Sequence, residues 1–304
     1  MYKNFSPAAL GLTGRQSELI ELALTYGFSG IDIDMADMRR RAMRSSSEDA
    51  YKYLKATDLM IGGFDVEVDL DADDDVYKAQ LASLHPTADL AAQWKARHGL
   101  LVLPAGTDRA AYPEYFEVMR ARLTQVAEVL GARKLRLGVG FNGCLAEAKD
   151  KQYPFINTPE GLIGLIKSIP AENVGYIIDS YNWLLGGGSL DEVAGLDGKK
   201  IVTVRLGSII EGVALGDATS DDRVLPVLEG PLSHVGLVMR LKRIGYEGPI
   251  GPSASVTQYK DETREFIVSS GQEIIDEILT QAGIEVPPRP CELVTQEPDE
   301  PAVV

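Results

Sequence analysis

Polar side chains stand at the ends of several apolar, β-branched runs in this sequence. The residues at these positions that could carry chemistry are Asp34, Asn142, Asp179, Tyr181, Asn182 and Arg205. A carboxylate accepts protons and hydroxyl hydrogen bonds, whereas a guanidinium donates to oxyanions and is permanently charged. Asp179 and Arg205 are therefore the candidate catalytic pair, and the other four are candidates for binding and orienting a polar substrate.

These runs alternate with helical patterns, which is typical of parallel βα units. We predict eight strands, at residues 9–12, 30–35, 59–68, 99–104, 134–141, 174–179, 200–206 and 249–253. Eight strands in about 250 residues favour a single (β/α)8 barrel, an α/β TIM barrel, over residues 1–283. An open doubly wound sheet is the alternative. Residues 284–304 are rich in proline and acids, which predicts an extended or disordered tail.

Helix boundaries are indicated by capping patterns. Thr13 with Gln16 three residues later predicts a capping box, and Gly27 predicts the end of that first helix. Thr158 before a proline predicts another helix start, and His234 is predicted to cap a later helix. In a parallel barrel the carboxyl ends of all strands meet at one mouth, so we expect the candidate residues to lie together there.

Three segments carry a family resemblance: GFSGIDID at 27–34, RLGVGFNG at 136–143 and IDSYNW at 178–183. With the segments at 222–230 and 244–249, they resemble the xylose isomerase-like barrel superfamily over roughly residues 10–255. The superfamily includes sugar phosphate isomerases and epimerases, inosose dehydratases and endonucleases that act on abasic sites. The resemblance implies a small sugar, polyol or sugar acid as substrate and isomerase, epimerase or lyase chemistry.

The resemblance also implies a divalent metal, usually manganese or magnesium, held by Glu, Asp, His and Glu from the last four strands. The corresponding positions here are Gly140, Asp179, Arg205 and Ser253. One carboxylate does not hold a hard cation, and Arg205 brings a positive charge to its place. We therefore expect no metal ligands and no cofactor. The resemblance also implies that the family glutamates transfer protons, so we do not expect ordinary metal-assisted isomerisation here.

The remaining roles are expectations from residue type. Asp179 would act as base or hydroxyl acceptor and Arg205 as the clamp for an oxyanion. Arg205 beside Asp179 would form a salt bridge with it, or bind a carboxylate, phosphate or hydroxyl group. Arg223 is a further candidate substrate contact. The alternative to an enzyme is a non-catalytic member of the fold that binds a carbohydrate or a protein.

An acidic segment at 64–75 alternates apolar and acidic residues before three consecutive aspartates. One interpretation is a cation or polyol site, with Glu67 facing the mouth. We favour the other, a solvated strand edge followed by acids at a helix N-terminus. His85 and His98 are predicted to be structural.

Charge and cysteine content restrict the partners. Asp and Glu exceed Lys and Arg by 45 to 30, so the net charge of −15 disfavours nucleic acid, including abasic-site repair. The two cysteines, Cys144 and Cys291, indicate a reducing compartment, and we predict the cytoplasm. No apolar run predicts export or a membrane partner. We expect a small-molecule carbohydrate as partner, and a homo-oligomer is possible.

Overall fold

The computed structural model describes residues 1–289 and contains a closed barrel of eight parallel strands. The strands are β1 Tyr2–Phe5, β2 Gly30–Ile33, β3 Met60–Asp65, β4 His98–Val102, β5 Arg136–Gly140, β6 Val174–Asp179, β7 Ile201–Leu206 and β8 Pro249–Pro252. Each strand pairs with its neighbours in sequence, and β1 pairs with β8 to close the ring. The predicted (β/α)8 barrel is confirmed.

Helices surround the barrel and follow the strands in turn. They are α1 Gln16–Thr25, α2 Met35–Arg44, α3 Ser47–Lys55, α4 Asp74–Gln93, α5 Tyr112–Gly131, α6 Leu145–Ala148, α7 Pro159–Ser168, α8 Ser180–Leu185, α9 Leu190–Ala194, α10 His234–Arg243 and α11 Arg264–Gln281. Two short antiparallel strand pairs lie in the loops: Gly106–Thr107 with Tyr153–Pro154, and Ser208–Ile209 with Arg223–Val224. Among residues 1–289, no helix is long and apolar enough to cross a membrane.

The first predicted strand, at 9–12, is wrong. Ala8–Leu10 forms a 3-10 turn, and the first strand is Tyr2–Phe5. This strand contains two buried polar residues, Lys3 and Asn4, which hide its pattern. The ammonium of Lys3 lies 2.7 Å from a carboxylate oxygen of Asp276 on α11, and Asn4 donates to Asp32 at 2.8 Å. Each buried polar group therefore has a partner that is distant in sequence.

The predicted cap of the first helix is also wrong. Helix α1 begins at Gln16, and the carboxylate of Glu18 accepts the backbone N–H of Arg15 at 3.3 Å, so Thr13 plays no part in the cap. Helix α10 is capped by Ser233, whose hydroxyl accepts a backbone N–H, rather than by His234. The cap at Thr158 is confirmed.

The acidic segment leads into α4 as the favoured interpretation predicts. Asp73 precedes the helix, and Asp74 and Asp75 lie in its first turn, near the positive end of the helix dipole. The segment is held to α5 by Arg122, whose guanidinium donates to the carbonyl oxygens of Leu70 and Ala72 at 2.8 and 2.7 Å. This residue fixes the loop that leaves β3.

The histidines predicted to be structural lie away from the mouth. His98 begins β4, is buried, and has its Nδ1 2.7 Å from the carbonyl oxygen of Gly62. Burial lowers the pKa of His98 below its usual value, so the ring is neutral at pH 7. His85 lies within α4. Of the predicted tail, residues 284–289 form no helix or strand, and Ile284 packs on the core. Residues 290–304, with Cys291, lie outside the described residues.

Candidate functional site

The ends of β6 and β7 bring the two candidate catalytic residues side by side. Asp179 and Arg205 are direct register partners across these neighbouring strands. Both side chains are largely buried, with 10% and 15% of their surfaces exposed. The strand positions therefore place the candidate pair at the mouth, as expected.

Asp179 forms its salt bridge with Arg223 and not with Arg205. Arg223 donates to one carboxylate oxygen of Asp179 at 2.9 Å, and the backbone N–H of Asn182 donates to the other at 3.1 Å. The guanidinium also lies over the ring of Tyr181, 4.7 Å from its centroid. Arg223 lies in the short antiparallel strand pair that follows β7, where it is the register partner of Ile209. Of the two alternatives predicted for Arg205, the salt bridge with Asp179 is not formed, and binding of a ligand group stays a prediction.

Arg205 consequently makes only one long ion-pair contact. Its nearest carboxylate belongs to Asp65 at the end of β3, with 4.0 Å between guanidinium nitrogen and carboxylate oxygen. The Nε of Arg205 has no hydrogen-bond partner within residues 1–289. A buried guanidinium with an unpaired donor is a binding group for an oxygen atom of a ligand.

Two further unpaired donors lie near Arg205. The Nε of Arg223 and the hydroxyl of Ser253 are buried, and neither has a partner in the described part of the chain. Both border Gly207, where an added Cβ would lie 2.7 Å from the Ser253 hydroxyl and 3.2 Å from Arg223 Cδ. This side of the mouth therefore presents positive charge and donors, which suit an anionic or oxygen-rich group.

The other predicted substrate residues hold loops in place. The Tyr181 hydroxyl donates to the carbonyl of Thr219 at 2.6 Å, and the Asn182 side chain accepts the N–H of Gly143 at 3.1 Å. Asn142 donates to the carboxylate of Glu147 at 2.6 Å. Their polar groups are thus used within the protein.

Glu147 is a charged group at the mouth that the sequence did not single out. Burial raises its pKa, but hydrogen bonds from Ser220 and Asn142 and the charge of Arg223 outweigh burial, so the pKa of Glu147 lies below its usual value. It is ionised at neutral pH. Its position on the short helix α6, after an irregular loop, gave no sequence signal.

The opposite side of the mouth, formed by β2 and β3, is acidic. Asp32, Asp34, Asp65 and Glu67 line one cavity there. Asp32 accepts a hydrogen bond from Asn4, and Asp34 caps α2 by accepting the backbone N–H of Asp37 at 2.8 Å. Asp34 and Glu67, two of the predicted substrate residues, are among the residues that line this cavity. Asp65 and Asp32 were not singled out, although both lie at strand ends.

Asp65 has an unusual proton affinity. Its side chain is 67% exposed, but the protein atoms around the carboxylate still desolvate it in part. This desolvation raises the pKa of Asp65; Arg205 opposes the rise, and the charges of Asp32, Asp34 and Glu67 add to it. The ionised form of Asp65 therefore costs the folded state only a little stability, because water screens a carboxylate that is 67% exposed.

We expect Asp65→Asn to raise the melting temperature at pH 7. Because the pKa is higher in the folded than in the unfolded state, the destabilisation is present above that pKa and disappears as pH falls below it. The gain should shrink on acidification, as measured by thermal unfolding at several pH values. Asp58→Asn, which changes an exposed aspartate just before β3, at the opposite end of the barrel, is the control. A pH-independent gain would contradict the assignment.

The metal implied by the resemblance does not match these donors. Of the four strand-end positions, Gly140 and Ser253 offer no anion, and Arg205 is a cation. Both oxygens of Asp179 already accept hydrogen bonds. Among residues 1–289, no group of three His, Cys, Asp or Glu side chains is arranged to hold a metal ion. The donor set at this mouth does not fit a divalent cation.

Comparison with known proteins identifies relatives of the barrel. Two curated relatives are inosose isomerases, from Bacillus velezensis, 23% identical over 186 residues, and from Bacillus subtilis, 23% identical over 159 residues. The matches cover 60% and 52% of this chain but only 62% and 53% of those relatives.

Solved structures share the fold. A xylose isomerase domain protein from Alicyclobacillus acidocaldarius superposes with a TM-score of 0.83 at 24% identity, covering 93% of this chain and 99% of that one. The IOLI protein with a bound zinc atom gives 0.80 at 17% identity, with the same coverage. The family model of the xylose isomerase-like TIM barrel matches residues 20–277. The chain therefore belongs to the xylose isomerase-like TIM barrel family.

Proposed function

We propose that this protein converts a small sugar, polyol or sugar acid at the barrel mouth, as an isomerase, epimerase or lyase that works without a divalent metal. The names of its relatives, inosose isomerase among them, support the substrate class. The matches cover only part of each relative, so the proposed activity rests on the residues of the site and not on the names of the relatives.

The observation that carries the proposal is Arg205. Its guanidinium lies at the mouth, with an unpaired Nε and only a 4.0 Å contact to Asp65. A fixed positive charge in a partly enclosed site stabilises the oxyanion that forms when a proton leaves the carbon beside a carbonyl. Arg205 would supply this stabilisation in place of a metal ion.

Proton transfer would fall to a carboxylate near that guanidinium. Asp179 has both oxygens engaged, so we propose that it receives a substrate hydroxyl and holds Arg223 in place. Asp65 faces Arg205, and its raised pKa suits a group that takes a proton from the substrate and returns it to a neighbouring atom. In an isomerisation or epimerisation the proton returns to the substrate, and in a lyase reaction it leaves with the departing hydroxyl group as water, so each reaction balances.

Thermal unfolding of the chelator-treated protein with sugars and sugar acids, with and without manganese, tests this proposal. We expect a sugar acid to raise the melting temperature without metal, since ligand binding stabilises the folded state. Arg205→Met should abolish the shift, whereas Arg240→Met, which removes a surface arginine 3.5 Å from Asp191, should retain it. A requirement for tightly bound manganese would refute the metal-free site.

A non-catalytic carbohydrate-binding protein is the second candidate. It is favoured by the internal hydrogen bonds of Asp179, Tyr181 and Asn182, which leave few groups to move protons. Incubation of a bound ligand in deuterated water separates the two: an enzyme that removes a carbon-bound proton incorporates deuterium, and a binding protein does not. The cytoplasmic location and the absence of a nucleic-acid partner remain predictions from charge and cysteine content.

A further inference from the structure

A cavity of about 570 Å³ lies beside the mouth, between α1 and α2. Its volume is within the range of small-molecule sites, which is about 300–1,000 Å³. One wall is apolar and includes Leu19, Met35 and Met38. The other wall carries the carboxylates at the ends of β2 and β3. The cavity is therefore amphipathic and continuous with the residues of the candidate site.

Two buried polar side chains of this cavity have no partner. Gln16, the first residue of α1, is 8% exposed, and neither its amide oxygen nor its amide nitrogen makes a hydrogen bond within residues 1–289. Ser6, which follows β1, is 4% exposed, and its hydroxyl is likewise unpaired. Buried polar groups are nearly always satisfied, so these atoms point to a ligand with both donors and acceptors.

The charges of the cavity are strongly unbalanced. Five carboxylates line it, those of Asp32, Asp34, Asp37, Asp65 and Glu67, against a single lining cation, Arg40. Arg205, which does not line the cavity, lies 4.0 Å from Asp65. Arg40 is itself 3.5 Å from Asp37. Glu67 makes no hydrogen bond or ion pair in the described part of the chain. A ligand that enters this cavity meets a negative potential, which favours a cation.

The geometry disfavours a metal as that cation. No three carboxylates, histidines or cysteines in residues 1–289 converge closely enough to hold a metal ion. The carboxylates are instead distributed along the wall, next to the unpaired amide and hydroxyl. A spread of acceptors suits an organic ammonium with several hydroxyl groups around it, because each group can reach a different side chain.

We propose that this cavity binds the amine-bearing end of a polyhydroxylated ligand, such as an amino sugar or an aminated cyclic polyol. The ammonium group lies between Asp65 and Glu67, a hydroxyl group pairs with the amide of Gln16, and the carbon skeleton packs on Met35 and Leu19. That the ligand is a polyol rests on the proposed function. That it also carries a positively charged amino group is the new inference.

Isothermal titration calorimetry with D-glucosamine, D-glucose and N-acetyl-D-glucosamine on the full chain tests the inference. We expect glucosamine to bind at least tenfold more tightly than the two neutral sugars. Glu67→Gln should weaken glucosamine binding about tenfold, the effect of losing one close charge pair. Glu21→Gln, which makes the same change on an exposed residue of α1 outside the cavity, should have no effect.

Gln16→Leu provides a test that does not depend on carboxylates. Leucine removes two unpaired buried polar atoms at similar volume, so we expect a higher melting temperature without ligand and weaker glucosamine binding. Loss of stability with unchanged binding would assign Gln16 a structural role and overturn the inference.

The remaining outcomes separate this inference from the proposed function. Equal binding of glucosamine and glucose, or no glucosamine binding at tens of millimolar, overturns the amine site and leaves the metal-free sugar site standing. Glucosamine binding that depends on Glu67 supports the amine site even where Arg205→Met leaves the sugar-acid response unchanged.

Discussion

Replacing Asp179 with leucine is expected to destabilise the protein by about 3–5 kcal/mol, the range for breaking a buried ion pair. The change leaves the guanidinium of Arg223, only 14% exposed, without the carboxylate that lies 2.9 Å away. It also removes the cap that the carboxylate provides for the backbone N–H of Asn182 at the start of α8. Urea unfolding, followed by circular dichroism, measures the change.

The double variant Asp179→Leu, Arg223→Met distinguishes a buried-pair effect from damage to β6. Two apolar residues of similar volume often replace a buried ion pair at little cost, so we expect the double variant to regain most of the lost stability. A double variant less stable than Asp179→Leu alone would mean that Arg223 stabilises the mouth through other contacts, such as its stacking on Tyr181.

Arg122→Leu is the second substitution expected to have a large effect, about 3 kcal/mol or more. Besides its two carbonyl acceptors, Arg122 donates to the Asp74 carboxylate at 2.6 Å. Its guanidinium carbon lies 4.4 Å from the centroid of the Tyr77 ring. Leucine would leave two buried carbonyl oxygens unpaired and release the acidic segment that connects β3 to α4. Chemical denaturation gives the free energy of unfolding.

Arg120→Leu is the matched control for Arg122→Leu. Arg120 lies on the same helix, and its ion pair with Glu117 is on the surface, where such pairs contribute about 0–1 kcal/mol. If the two variants lose similar free energy of unfolding, leucine destabilises α5 on either face. The contacts of Arg122 would then not explain the effect.

Most of the barrel could be predicted from the sequence, because seven of its strands are apolar runs bounded by helical patterns. The sequence did not predict strand β1, because Lys3 and Asn4 are polar and buried. Their partners, Asp276 and Asp32, are remote in sequence. Periodicity detects a buried face only where the buried residues are apolar. The error at α1 has a similar origin, since Gln16 faces a cavity with no internal partner.

The site was predictable only where strands place it. Asp179 and Arg205 are neighbours because strand ends meet at one mouth and register fixes which residues lie side by side. The partner of Asp179 could not be predicted, because Arg223 lies in a short strand pair within a loop. The course of a loop leaves no periodic pattern in the sequence. Glu147 was not predicted as a site residue for the same reason, since it follows an irregular loop. Asp65 lies in the segment already noted for its acids, but alternation alone did not distinguish it from Glu67.

The pairing of Lys3 with Asp276 bears on the order in which the chain folds. The two residues are 273 positions apart, and the strand that contains Lys3 pairs with β8 as well as β2. The ion pair therefore joins the first strand of the ring to the helix that follows its last strand, and it can form only when both elements are present. A chain without α11 would leave the Lys3 ammonium, which is 5% exposed in the folded protein, without its carboxylate partner.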